Sequence, residues 1–381
     1  MTSLLAQISA IETQLVVVPL AERLSAPGVD VAEREYVVVR IKAGDVVGVG
    51  FGLTRGAQLD ATVMRHLAPH VLGRPAGSIR DIWDAARRSV AMLGECGIFA
   101  RSLSLVDIAL WDLQAKLLGV PVWRLLGGCA AEVPCRAIMG YYRRDDPVGV
   151  VRREAERLLA AGYRAFKMPV GLDATLDRQR LAGFREVAGA GVKVAVDASG
   201  VFRSVKDVLA AWRWLEPFDI EFLEDPFPAT AWRQAVRLAQ VAPFKVAFGE
   251  SVVAPENLGR MAGGEGVDIL RLDVTAHLGV TGFMMFANMA IENGRHVFPH
   301  YFPDLHAPLA GALGNLEIEE SPAEADTTGF MRLRRQQPVI VDGLWRLGEE
   351  PGFGLVWDEE ALARYTVARE SVTLHKDQSE S

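Results

Sequence analysis

The sequence predicts an α/β protein, a modified (β/α)8 (TIM-like) barrel preceded by an N-terminal α+β capping domain. Three observations carry this. From Val133 onward, short β-branched or aromatic runs alternate strictly with helical stretches. Eight such runs fall within roughly 190 residues, a regularity that favours a closed barrel over an open doubly wound sheet, the structural alternative. Three carboxylates, Asp197, Glu224 and Glu250, each close one of these runs. That is the end of the strand where parallel barrels place their chemistry.

The elements follow in order. Ile11–Leu20 reads as a strand, and Arg34–Lys42 and Val46–Leu53 flank the tight-turn signal Ala43-Gly44-Asp45. Helical patterns follow over Ala57–Val71, Ser78–Leu93 and Arg101–Leu118. Residues 1–125 therefore form the capping unit, with loops expected over about 20–31 and 48–58, which are rich in Gly, Pro and polar residues. Barrel strands are expected at Val133–Met139, Arg164–Met168, Lys193–Asp197, Ile220–Glu224, Lys245–Gly249, Val267–Asp273, Arg295–Pro299 and Leu316–Glu320, all within residues 126–350. Helices lie between them, for example Val148–Ala161, Thr175–Ala188 and Val205–Leu215. Residues 351–381 are too long for a simple tail and are expected to pack back on the cap, with a frayed polar end.

Bulk properties bound the function. The 381 residues carry a formal charge of −7, with 41 basic against 48 acidic side chains. No strongly basic face or tail points to nucleic acid. No apolar stretch is long enough to span a bilayer without charge. The N-terminus lacks the positive and uninterrupted apolar regions of a signal peptide. Cys96, Cys129 and Cys135 are few, odd in number and without a C-x-x-C pair, which fits reduced thiols in a cytoplasmic protein. An anionic small-molecule substrate stays compatible with this surface, provided a local metal or lysine supplies the attraction.

The chemistry-bearing residues cluster at strand ends. A single strand-end acid is often a helix cap; three on consecutive strands converge on a hard, oxygen-lined cation site. Lys167 ends the second strand, where an ammonium beside a metal can neutralise a substrate carboxylate or act as a base; its bland reading is a snorkelling surface lysine. Asp273 and His300 end adjacent strands, and a carboxylate on an imidazole fixes its tautomer and raises its basicity. Alone, His300 would read as a structural histidine. Glu317 and Glu319 share one face of the last strand and Glu320 the other, and an ordinary acidic exit loop is the competing reading. Gly48-Val49-Gly50-Phe51-Gly52 lacks the third spacing of a dinucleotide fingerprint and reads as a mobile loop. His296 and His300 lack the Glu of a zinc H-E-x-x-H motif, and His277, just past a strand end, reads as a capping residue that could also line the site.

With these residues in place, the chain resembles the enolase superfamily, in its mandelate racemase-like branch, over essentially its whole length. The run Asp107-Ile108-Ala109-Leu110-Trp111-Asp112-Leu113, continuing through Lys116, Gly119, Pro121 and Leu125-Leu126-Gly127-Gly128, is similar to the signature at the cap–barrel junction. The resemblance implies metal ligation by Asp197, Glu224 and Glu250, a His-Asp dyad of His300 and Asp273, and a final acid at Glu319, with Glu317 second. A cycloisomerase-type relative would carry Lys where Asp273 stands. The resemblance also implies one Mg2+ per chain, with Mn2+ as a substitute, and a homo-oligomer. It further implies closure of the loops at 20–31 and 48–58 over the barrel mouth. Arg23, Arg55, Tyr141 and Ser199 are the further candidates for substrate contact; for the arginines, solvated loop positions are the competing reading.

Two departures shape the expected reaction. The second strand of the family usually ends in K-x-K, and here it reads Lys167-Met168-Pro169, so a second base is lost. Ser199 replaces a frequent Asn two residues after the first ligand. Abstraction of a proton next to an ionised carboxylate concentrates negative charge, which Mg2+ and Lys167 would absorb as an ene-diolate forms. One clear base, His300, suits syn elimination of water from an acid sugar to a 2-keto-3-deoxy acid. A racemase or epimerase using Lys167, Tyr141 or Tyr142 as second base is the alternative, and a metal-binding member with little or no catalysis is the third reading.

Overall fold

The computed structural model describes residues 4–26, 29–143, 145–314, 316–320 and 328–374. The N-terminal part is built on three antiparallel strands, β1 (Ile8–Ala26), β2 (Val29–Ala43) and β3 (Val46–Leu53). Strand alternation divides β2 between two cores. Val37, Val39 and Ile41 face the cap helices, including Ile79–Ser89 and Ile98–Leu118. Tyr36 and Val38 face the other way, into the core shared with the barrel. The helical run 59–71 contains a π turn over Val63–Leu67 just before Pro69, which has no N–H to donate to a regular ladder.

Eight parallel strands follow: β4 (Glu132–Ile138), β5 (Ala165–Pro169), β6 (Lys193–Asp197), β7 (Ile220–Glu224), β8 (Lys245–Phe248), β9 (Ile269–Leu272), β10 (His296–Pro299) and β11 (Ile318–Glu320). Strands β4 to β10 pair in sequence, and β11 pairs with β4 and lies against β10, which closes the ring. Helices such as Ala174–Ala188, Val205–Leu215 and Gly279–Glu292 connect successive strands. Ala195, Phe222, Ala247, Ile269 and Phe298, one from each of β6 to β10, form a cluster of their own that fills part of the barrel interior.

The last part of the chain ties the two units together. A hairpin, β12 (Ile340–Val341) and β13 (Leu344–Arg346), sets β13 antiparallel against the start of β4. The final strand, β14 (Thr366–Thr373), joins the cap sheet beside β1. Phe51 on β3 stacks on Phe330 (4.5 Å between centroids) and meets Trp357 and Phe302 edge-on at 5.2 and 5.6 Å. This aromatic cluster seats the cap sheet directly over the turn that follows β10.

Two loop expectations are corrected. Residues 20–26 and 29–31 continue the β1–β2 ladder, with Leu24 opposite Val31; residues 27 and 28 lie outside the described set. Residues 48–53 are strand, and the chain leaves the sheet only at Thr54. The glycines that suggested mobility serve close packing instead. A Cβ at Gly48 or Gly50 would collide with the backbone of the helix Ile98–Leu118, at the carbonyls of Ala109 and Leu105.

Candidate active site

The C-terminal ends of β5 to β10 carry the candidate site. Asp197 and Glu224 are ladder partners at the ends of β6 and β7. Gly249 (φ 143°) lets the chain leave β8 past the Arg271 carbonyl, where a Cβ would collide, and Glu250 follows it. Lys167 Nζ donates to Glu224 Oε1 at 2.7 Å, and both side chains are buried. The Arg271 guanidinium, fully buried on β9, lies 3.3 Å from Glu224 Oε1 and 3.5 Å from Glu250 Oε2. The backbone N–H of Ser199, in the left-handed region (φ 48°), donates to Asp197 Oδ1 at 2.8 Å.

Negative charge is in surplus here. Burial, and then the Glu250 carboxylate, hold the Asp197 carboxyl above its usual range against the pull of Lys167. Asp225 is pushed well above the usual carboxylate range by burial and by Glu250, Glu224 and Asp197 in turn. Its buried Oδ1 has no hydrogen-bond partner among the described residues. Among the described residues, no three acidic, histidine or cysteine side chains converge into a ready cage for an ion. The oxygens of Glu224 and Glu250 turn toward Lys167, Arg271 and His300. Three hard oxygen donors on successive strand ends, carrying uncompensated charge, nevertheless fit a divalent cation of the Mg2+ type.

Beside the acids stands the His-Asp pair. His300 Nδ1 lies 3.0 Å from Asp273 Oδ2, and Nε2 lies 3.2 Å from Glu250 Oε1. Asp273 Oδ1 accepts from both the N–H (2.8 Å) and the hydroxyl (2.7 Å) of Thr275, which leaves Oδ2 for the imidazole. Burial opposes the Asp273 carboxylate, yet the bond to His300 holds it below its ordinary range.

Two family models match the chain. Residues 11–127 match the mandelate racemase/muconate lactonizing enzyme N-terminal domain, and residues 150–361 match the enolase C-terminal domain-like family. The chain belongs to the mandelate racemase-like enolase superfamily. Among its relatives, the 3,6-anhydro-alpha-L-galactonate cycloisomerase of Streptomyces coelicolor is 29% identical, over 94% of this chain and 99% of the relative. The arabinonate dehydratase of Saccharolobus solfataricus is also 29% identical, over 90% and 94%. The crystal structure of L-talarate dehydratase from Polaromonas sp. JS666, complexed with Mg and L-glucarate, superposes with a TM-score of 0.87 at 25% identity. That match covers 97% of this chain and all of the other. The chain is accordingly an enzyme of this superfamily.

The remaining candidates separate by position. Tyr141 is partly buried, and Lys167 and Asp197 are among the groups whose charge acts on its phenol; burial first, and then Tyr301, raise that phenol's pKa. Arg55, in the left-handed region (φ 53°), lies over the Tyr301 ring at 5.7 Å, next to His300. Arg23 is exposed on the cap hairpin. The other tyrosine considered, Tyr142, donates to Asp177 Oδ1 at 2.6 Å, away from the strand-end acids.

Glu317 is a correction. Its Oε1 lies 2.9 Å from Nε of Arg136, whose Nη2 donates to Glu221 at 2.6 Å. Glu221 precedes Glu224 by three residues, about 10 Å along a strand, so Glu317 belongs to the opposite end of the barrel from the site. Glu319 lies on β11 opposite Arg136 of β4, but its side chain is outside the described residues.

Several neighbours escaped the sequence reading. Arg271 stands two residues before Asp273 and so shares its inward face, a signal present but unused. Arg101 comes from the cap helix Ile98–Leu118 and lies within electrostatic reach of Asp273 and Glu250, a proximity no local pattern announces. Arg34 Nη2 donates to the Tyr301 hydroxyl at 3.1 Å, a second cap residue on the turn after His300.

Proposed function

We propose that this chain is a Mg2+-dependent acid-sugar dehydratase. It would remove the proton next to a carboxylate and then eliminate water to give a 2-keto-3-deoxy acid. Asp197, Glu224 and Glu250 would hold the cation. When bound, Mg2+ supplies Lewis-acid stabilisation of the charge that accumulates on the substrate carboxylate. Lys167, fixed on Glu224, adds positive charge at the same barrel end. His300 takes the α-proton at Nε2, because Asp273 holds Nδ1–H and Thr275 orients Asp273. The same imidazolium then returns its proton to the departing β-hydroxyl, and the enol product relaxes to the keto acid. Glu319 is assigned the final acid from its strand position.

The observation that carries this reading is the single-base geometry: a complete Asp273–His300 pair, and Pro169 at the end of β5 where a second lysine would face it. Racemisation needs a base on each face of the α-carbon. Tyr141, whose phenol is held in its protonated form by burial, does not supply one at neutral pH. The names of the arabinonate and L-talarate dehydratases support a hydroxy-acid substrate. The cycloisomerase relative supports a second reading, isomerisation without loss of water, against which stands Asp273 at the position expected to carry Lys in that type. A screen of acid sugars with Mg2+, read by keto-acid formation and product mass, separates them. Dehydration gives a product lighter by one water, and cycloisomerisation gives an isomer. In deuterated water, His300→Asn should stop exchange of the α-proton. Exchange that persists would remove His300 from the role of base.

A further inference from the structure

We infer that His306 is a positioning residue for the catalytic pair, acting as an uncharged strut between the two strand ends that carry Asp273 and His300. This rests on the reading of that pair as the proton-transfer machinery. The backbone N–H of Val274, the residue after Asp273, donates to His306 Nε2 at 3.0 Å. His306 Nδ1 lies 2.6 Å from the carbonyl oxygen of Tyr301, the residue after His300. An amide can only donate and a carbonyl can only accept, so both partners fix the ring as the neutral Nδ1–H tautomer. One imidazole therefore joins the turn after β9 to the turn after β10, one residue beyond each member of the pair.

The turn it holds is strained. Tyr301 and Phe302 both sit in the left-handed region, with φ of 61° and 39°, which non-glycine residues rarely adopt. The bond from His306 engages the Tyr301 carbonyl within that bend, while Arg34 of the cap fixes the Tyr301 hydroxyl. A second histidine works on the neighbouring amide. The Asp273 N–H donates to His277 Nδ1 at 3.0 Å, so His277 is the opposite tautomer, Nε2–H. Two buried imidazoles thus take the consecutive amides of residues 273 and 274, but only His306 also reaches across to the β10 side. Burial holds both rings uncharged by lowering their pKa values to about 4. Protonation at either accepting nitrogen would replace an acceptor with a donor facing an N–H. The packing is consistent: the His306 ring is fully buried and lies 5.5 Å from the ring of Phe283.

The test uses the full chain labelled with 15N-histidine and loaded with Mg2+. Long-range proton–nitrogen correlation spectra should show His306 as Nδ1–H and His277 as Nε2–H at neutral pH. An imidazolium or an Nε2–H signature at His306 would overturn the assignment without any activity measurement. His306→Phe keeps an aromatic ring, somewhat larger than imidazole, and removes both bonds. Its expected effect is a fall in kcat on the order of 10²-fold from loss of alignment, with KM held within roughly twofold. His306→Gln, which keeps an acceptor within reach of Val274, should recover part of that loss. A folded His306→Phe variant with kcat within about twofold of the parent would also overturn the inference, since misplacement of a reacting group is costly. Should the parent turn over none of the sugars tried, the His300 nitrogen resonances decide. They should move in His306→Phe, and unchanged resonances count against the strut whatever the reaction. Should His306→Phe fail to fold, the tautomer spectrum of the unsubstituted protein decides alone.

Discussion

The two ends of the barrel both bury an arginine among carboxylates, yet they are electrostatically unlike. At the N-terminal end, Arg136 lies between the Phe222 and Phe298 rings, pairs with Glu221 and Glu317, and donates to the Phe166 carbonyl. Burial works against both carboxylates. Arg136, Lys193 and Lys245 hold Glu221 below its ordinary range, while burial keeps Glu317 above its own despite Arg136, so this end carries two acids against three nearby cations. At the C-terminal end, Lys167 and Arg271 face Asp197, Glu224, Asp225 and Glu250, and the acids prevail: Asp197 and Asp225 are both pushed up. A buried ion pair is therefore no mark of function by itself. What distinguishes the site is an excess of one sign, kept unneutralised by the protein's own side chains.

The sharpest way to break this comparison is to delete one charge at each end. Glu250→Gln removes a surplus acid from a partly exposed position, so the metal-free protein should be as stable as the parent while turnover falls by about 10³-fold or more. Arg136→Met should do the reverse in order of severity. It leaves Glu221 and Glu317 without their guanidinium, a loss of about 3–5 kcal/mol typical of a broken buried pair. Urea unfolding and the keto-acid assay measure the two sides. An unstable Glu250→Gln protein, or an Arg136→Met protein of parental stability, would erase the distinction between the ends.

Metal binding sharpens it next. A ligand present at 100 times its Kd stabilises the folded state by about 2.7 kcal/mol. Mg2+ should raise the melting temperature of the parent and of Glu317→Gln alike. It should not raise that of Glu250→Gln. Stabilisation of all three proteins to the same extent would place the cation elsewhere.

Much of this arrangement was legible in the sequence, for identifiable reasons. Lys193–Asp197 and Ile220–Glu224 begin and end where their β-branched and aromatic patterns do, because a parallel strand covered on both faces has little else to record. Depth along the barrel was not legible. Alternation assigns Glu317 and Glu319 to one face, but only the closed ring shows that Glu317 meets Arg136 at the far end. Composition also misled at Gly48 and Gly50, where absence of a side chain serves helix contact and not mobility. Arg101 and Arg34 arrive from the cap, and the pairing of His306 with Val274 and Tyr301 spans two strands. Such relations exist only in three dimensions.

The smallest expected effect concerns pH, and it separates acids that answer to metal from one that does not. Asp107, buried in the cap helix, accepts from the N–H and hydroxyl of Thr281, beyond the end of β9. Burial raises its pKa from 3.8 to about 7 despite those bonds. Across that window the folded chain keeps a proton that the unfolded chain has lost, so stability falls as pH rises toward 7. Asp197 and Asp225 are raised as well and act in the same direction. Asp273 is depressed and acts in the opposite one: its contribution is present above the ordinary aspartate range and is lost as pH falls through and below it. A divalent cation on the strand-end carboxylates should flatten the part of the slope that Asp197 and Asp225 contribute, and leave the part from Asp107. Asp107→Asn keeps a carbonyl to accept from Thr281 and cannot ionise, so it should remove the metal-insensitive part and leave turnover near parental. Melting temperatures against pH, with EDTA and with Mg2+, read both parts. If Mg2+ abolished the whole slope, or Asp107→Asn left it intact, Asp107 would not be the acid that titrates independently of the metal.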